Sequence, residues 1–127
     1  MDELSIVIAR EPGATVRTHV RGPASLAATM AYWRAIVAEV AREPARHLML
    51  VDELRGPALT AQDWQSLVAM LVGSGLEGMR IAHVKPNGLD QIEHCELSAT
   101  QAGFQARVFS DERIAGLWLR YGSPPED

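Results

Sequence analysis

The chain has 127 residues, 47% of them hydrophobic, and a formal net charge of −4 at pH 7. That length and composition suffice for one hydrophobic core. The charge is spread without a basic block, so the electrostatic footprint of a nucleic-acid binder is missing, and no stretch approaches the roughly 20 apolar residues of a membrane span. Eleven of the twelve basic residues are Arg; Lys85 is the single lysine. The one cysteine, Cys95, excludes an internal disulfide and fits a reducing compartment. The first apolar run, Leu4 to Ala9, follows two acids and is too short for a signal peptide. A cytoplasmic location is expected.

Leu4 to Ala9 is rich in Ile and Val and reads as a strand. Arg10-Glu11-Pro12-Gly13 has the residues of a turn. Ala14 to Arg21 alternates, with Val16, Thr18 and Val20 on one side and Arg17, His19 and Arg21 on the other, which predicts a strand with one wet face. The two strands form an antiparallel hairpin. After Gly22-Pro23, Ser25 is suited to cap a helix, and Leu26, Met30, Trp33, Val37 and Val40 give it an apolar stripe up to about Arg42.

His47 to Val51 reads as a buried strand, and Asp52-Glu53 after it as a solvated, turn-forming pair. A helix then starts near Thr60, with Trp64, Leu67, Val68 and Leu71 on one face. Asp63, three residues beyond Thr60, completes an approximate capping box. Gly73 to Gly78 ends that helix, Met79 to Val84 is a fourth strand, and Pro86-Asn87-Gly88 is a turn. Leu89, Ile92, Cys95, Ala99 and Ala102 form a weaker helical stripe closed by Gly103. Gln105 to Phe109 is a short fifth strand. Ser110-Asp111 caps a last helix carrying Ile114, Leu117, Trp118 and Tyr121.

A hairpin followed by strand–helix units gives an α/β fold, a mixed sheet of about five strands with about four helices. Residues 1–121 make one domain, and 122–127 are expected to form a disordered tail. The three Trp, one on each of three helices, suit the helix–sheet interface.

Several chemical motifs fail on their context. Gly73-Ser74-Gly75-Leu76-Glu77-Gly78 matches G-x-G-x-x-G, but it follows a helix and precedes a strand, the reverse of the dinucleotide fingerprint, and so reads as a helix end and turn. Asp52 after the third strand, with Lys85, has the look of a phosphoacceptor aspartate and its lysine. Such chemistry needs Mg²⁺ held by carboxylates at the end of the first strand, and that strand ends Ile8-Ala9-Arg10. His19, His47, His83 and His94 show no zinc spacing, and His94 and Cys95 point about 100° apart on a helix. No G-x-S-x-G elbow is present. A nucleophile, base and orienting group do not emerge together.

The element order, with Phe104-Gln105-Ala106-Arg107-Val108-Phe109-Ser110-Asp111-Glu112 and then Ala115, Trp118 and Leu119, resembles the STAS superfamily, and within it the SpoIIAA-like proteins of bacteria. A phrase of the type R-V-F-x-D followed by A-x-x-W-L around the final helix is common there. The resemblance implies a fold more than an activity. Anti-sigma-factor antagonists of that superfamily are phosphorylated on a serine in a D-S-S-G-like turn after the third strand. The matching residues here, Asp52-Glu53-Leu54-Arg55-Gly56, include no hydroxyl, and the acids would repel a phosphate. Thr60 is the nearest hydroxyl and reads as a helix cap. The SpoIIAA-like branch also resembles lipid-carrying CRAL-TRIO domains in fold, which implies a small apolar ligand or a membrane surface.

The expectation is therefore a non-catalytic binding or regulatory module working through a protein partner, with no cofactor and no metal. The alternative is a carrier of a small lipophilic ligand, and less favoured is a small enzyme using Asp52 and His83. In an open α/β sheet, ligands sit past the carboxyl ends of the strands. That places Asp52, Glu53, Arg55, Thr60, Lys85 and Asn87 at the rim of the binding site. Trp118 and Tyr121 mark a second surface on the last helix, and association into a homodimer is open.

Overall fold

Five strands and four helices alternate in the computed structural model, which describes residues 3–86 and 93–122. The strands are β1 (Ser5–Glu11), β2 (Thr15–Pro23), β3 (His47–Arg55), β4 (Arg80–Val84) and β5 (Gln105–Phe109). The helices are α1 (Leu26–Arg42), α2 (Ala61–Leu71), α3 (Glu93–Gln101) and α4 (Glu112–Tyr121). The strands lie in the order β1-β2-β3-β4-β5. β1 runs antiparallel to β2, and every later pair is parallel. This is the mixed α/β sheet that the alternation of strand and helix patterns predicts. Asn87, Leu89 and Ile92 lie outside the described residues, as does the expected tail beyond Gly122.

Strand alternation sorts the side chains onto two faces. On the front face, Val16, Thr18 and Val20 of β2 and Leu48, Leu50 and Leu54 of β3 are buried. The apolar ones join α1, α2 and α3 residues in the larger core, with Trp33, Ile36, Trp64 and Cys95 among them. On the back face, Met49, Val51, Ala82 and Val84 pack under Ala115, Trp118 and Leu119 of α4 alone.

The buried side of α1 is turned from the expected stripe. Ala28, Thr29, Tyr32, Trp33, Ile36 and Val40 are buried, whereas Met30 and Val37 flank them at half burial. Helix ends follow their caps. Ser25 Oγ accepts from Ala28 N–H at 3.0 Å. Thr60 and Asp63 form the reciprocal capping box, and Asp111 Oδ1 accepts from Arg113 and Ile114 N–H. Arg10 on β1 donates to the Glu39 carboxylate at 2.8 Å and to its carbonyl at 3.1 Å. A cation thus sits at the carboxyl end of α1, as the helix dipole favours, and binds the edge strand to the helix.

The ends of three strands differ from expectation: β1, β2, which runs through Gly22 to Pro23 and not only to Arg21, and β3. β1 extends to Glu11, so the hairpin loop is Pro12-Gly13-Ala14, with Gly13 and Ala14 at positive φ. More consequentially, β3 does not stop at Val51. β2 continues beside it as far as Pro23, pairing Val20 with Asp52, Arg21 with Glu53, Gly22 with Leu54 and Pro23 with Arg55. Asp52 and Glu53 are strand residues on opposite faces and not a turn. The strand ends at Gly56, where φ is +149° and a Cβ would sit 3.2 Å from that of Ala24. The chain passes so close because Ala24 N–H donates to the Arg55 carbonyl at 2.7 Å.

Candidate functional site

Asp52 follows Leu48 and Leu50 along the inward face of β3, so its carboxylate enters the core. His83 comes in from the same face of β4, and Lys85 follows one residue past that strand. All three are buried, with exposures of 4%, 1% and 5%. A buried charge must be paired and hydrogen-bonded, and here the pairing is complete for the carboxylate. Asp52 Oδ2 lies 2.8 Å from His83 Nε2. Asp52 Oδ1 accepts from Leu54 N–H at 3.0 Å and from Lys85 Nζ at 3.3 Å. Lys85 Nζ donates further to the Leu54 carbonyl at 2.9 Å.

Burial alone would push the Asp52 carboxyl up. The His83 hydrogen bond, the Lys85 ammonium and the Leu54 amide outweigh it, and the group is held below the ordinary carboxylate value. The chain of contacts continues through the imidazole: His83 Nδ1 is 3.5 Å from Cys95 Sγ on α3. With the Nε2 proton directed at Asp52, Nδ1 is free to accept from the thiol. The Trp64 ring meets the imidazole edge-on at 6.1 Å.

Thiol, imidazole and carboxylate are therefore in line, in the order that nucleophile, base and orienting group take in cysteine enzymes. The surroundings oppose that use. Burial, with the Asp52 and Glu96 charges, pushes the Cys95 thiol up to about 12, so the thiolate is scarce at neutral pH. The space beside it, between α2, α3 and the sheet, has a volume of about 20 Å³. That is room for about one water molecule. The buried Thr18 Oγ1 and Trp64 Nε1 have no hydrogen-bond partner among the described residues. Trp33 and Trp64 both line this same space.

Over the carboxyl edge of β3 and β4 lies an open cleft of about 310 Å³, lined by Asp52, Glu53, Leu54, Arg55, Gly56, Lys85 and Pro86. Glu53 points to the back face, where it meets Arg21 Nε at 2.9 Å and His19 Nε2 at 3.1 Å. The His19 hydrogen bond and the Arg21 charge hold its carboxyl below the ordinary value. Among the sequence-derived rim residues, the cleft gathers Asp52, Glu53, Arg55 and Lys85. Thr60 stands apart at the start of α2, engaged in its capping box. Asn87 lies outside the described residues.

The expected α4 surface divides. Trp118 is buried against the back face, its ring 5.7 Å from Phe109, while Tyr121 is exposed together with Ile114 and Leu117. Sequence reasoning paired Asp52 with His83 but missed the link to Cys95 and the burial of Lys85. Period-two counting gives the signal: Leu48, Leu50, Asp52 and Leu54 share one face of β3, as Ile81 and His83 share one face of β4.

No described helix is long and apolar enough to cross a membrane. No group of three or more His, Cys, Asp or Glu side chains able to hold a metal ion occurs among the described residues. No family model matches the chain, and no curated protein or solved structure compared with it does either.

Proposed function

We propose that the protein is a non-catalytic binding or regulatory module of the STAS, SpoIIAA-like type, acting through protein–protein contact at the carboxyl edge of its sheet. One observation carries this reading. The reactive groups Asp52, His83, Lys85 and Cys95 are locked against one another below the surface, while the residues above them form an open cleft with Arg55, Gly56 and Pro86 exposed. Such a site presents shape and charge and keeps its nucleophile protonated. The absence of a hydroxyl between Asp52 and Gly56 sets it apart from a phosphoserine switch. The cytoplasm, where Cys95 stays reduced, is the compartment this reading implies.

A photo-crosslinking amino acid in place of Arg55 tests it. In a lysate of the source organism it is expected to capture a discrete protein that the same reagent at Arg34, on the exposed side of α1, does not. Equal labelling from both positions would count against a partner at the cleft.

A second reading, carriage of a small lipophilic ligand, rests on the seam between α2, α3 and the sheet. Leu67, Val68, Leu71 and Phe104 line it, and the indole N–H of Trp64 there has no hydrogen-bond partner among the described residues. Small-molecule sites measure about 300–1,000 Å³, so α2 and α3 would have to separate. Native mass spectrometry separates the two readings: a stoichiometric apolar adduct on the purified protein favours the carrier.

A further inference from the structure

The charges around the cleft do not cancel. Asp52 is balanced by Lys85 at 3.3 Å, and Glu53 by Arg21 at 2.9 Å. Arg55, the last residue of β3, is exposed and has no hydrogen bond or ion pair from its guanidinium among the described residues. One positive charge is left over at the mouth. Below it, the Lys85 ammonium has three N–H donors. Asp52 Oδ1 and the Leu54 carbonyl take two, and no third acceptor is found among the described residues. A donor on a side chain only 5% exposed is costly to leave unmet.

We propose that this cleft binds a carboxylate, with Arg55 gripping it from the mouth and the third N–H of Lys85 meeting it from the floor. The proposal rests on the binding-module reading and names what the module recognises. Single charge matches the site: one unbalanced cation suits a monoanion, whereas a dianionic phosphoryl group would keep one charge unmatched. At about 310 Å³ the space is at the lower end of small-molecule sites. It admits either a small free carboxylate or one acidic side chain of a partner. The hollow at the opposite edge of the sheet, near His47 and Arg120, is of similar size at about 380 Å³. None of its lining polar side chains is fully buried, so it lacks an unmet donor of this kind.

The test uses the full chain, labelled with ¹⁵N, and titrates sodium acetate and a tetraglutamate peptide against sodium chloride at matched ionic strength. Saturable shifts of the amides of residues 53–56 and 85 with acetate or the peptide, and none with chloride, are expected. Acetate saturating points to a free small carboxylate, and the peptide saturating where acetate is far weaker points to a partner's acidic side chain. Arg55→Ala should weaken the saturating probe by about tenfold, the value of one charge-assisted hydrogen bond. Arg34→Ala should leave it unchanged. Lys85 substitutions strip Asp52 of its partner and endanger folding, so the exposed Arg55 carries the test. Equal response to chloride, or an affinity indifferent to Arg55→Ala, overturns the proposal. If neither carboxylate binds while crosslinking from position 55 still captures a partner, carboxylate recognition falls and the binding-module reading stands.

Discussion

The two faces of β3 and β4 put alternate residues of the same strands to opposite ends. On the back face, Met49, Val51, Ala82 and Val84 meet α4 in a dry contact closed by Trp118 and Leu119. On the front face, one residue over in each strand, Asp52 and His83 enter the core and bring Lys85 with them. A dry face fails gradually, by the volume removed. A face holding paired charges fails abruptly, because deleting one partner leaves the other buried and unsatisfied. The front face therefore has the more specific geometry, and its Asp52 and Lys85 reach the cleft at the strand ends.

Asp52→Ala should show the largest effect. It strands Lys85 and His83 together, and breaking a buried pair of this kind costs about 3–5 kcal/mol. Urea unfolding at pH 7 should show a marked fall in midpoint. Trp118→Ala on the back face should cost about 3 kcal/mol, the lower end for a large aromatic truncation, since the residue keeps 9% of its surface in water. A midpoint for Asp52→Ala above that of Trp118→Ala would reverse the ranking of the two faces.

Acid should act on the front face through Asp52. The Asp52 carboxyl is held below its ordinary value in the folded chain. Its contribution is thus complete above the unfolded value of about 4 and lost as pH falls from there through the lowered folded value. Stability of the wild type should drop over that range, and more steeply than that of Asp52→Asn, which carries no carboxyl at this position. Parallel acid curves for the two proteins would remove Asp52 from the account.

Thr60→Ala tests a smaller element of the same face. Its hydroxyl accepts from Asp63 N–H at 3.0 Å, and loss of such a cap costs about 1 kcal/mol. Carboxylate binding at the cleft should be unaffected, because Thr60 does not line it. A strong change in binding at unchanged stability would return the hydroxyl to a functional role.

The pattern of this sheet was largely legible in the chain. The alternation of Val16, Thr18 and Val20 gave the inner side of β2, and the Thr60–Asp63 spacing gave the start of α2. The site was legible only in part. An acidic pair after an apolar run resembles a strand end by composition, because Asp and Glu are poor strand formers. What keeps β3 going through Asp52 and Glu53 is its pairing with β2, a partner more than 30 residues earlier, together with His83 and Lys85 supplied by another strand. Tertiary partners outweighed local preference, and no single window of sequence contains them. The last helix shows the same limit. Ile114, Leu117, Trp118 and Tyr121 lie along one stripe, but Ala115 and Leu119, which share the contact with the sheet, turn the helix so that only Trp118 of the four is buried.

That rotation leads to the smallest effect. Ile114, Leu117 and Tyr121 are exposed by 54%, 51% and 70%, so each has already kept about half or more of its surface in water. Leu117→Ser removes little that folding buried, and an exposed substitution of this sort changes stability by about 0.5 kcal/mol or less. Its melting temperature should therefore match the wild type, whereas Trp118→Ala, one residue further along the helix, lowers it clearly. A melt of Leu117→Ser as low as that of Trp118→Ala would mean that the outer side of α4 is covered in solution. Light scattering would then distinguish the cause: a wild-type mass of two chains falling to one in the variant identifies a second copy seated on this helix, and an unchanged monomer mass assigns the loss to the helix itself.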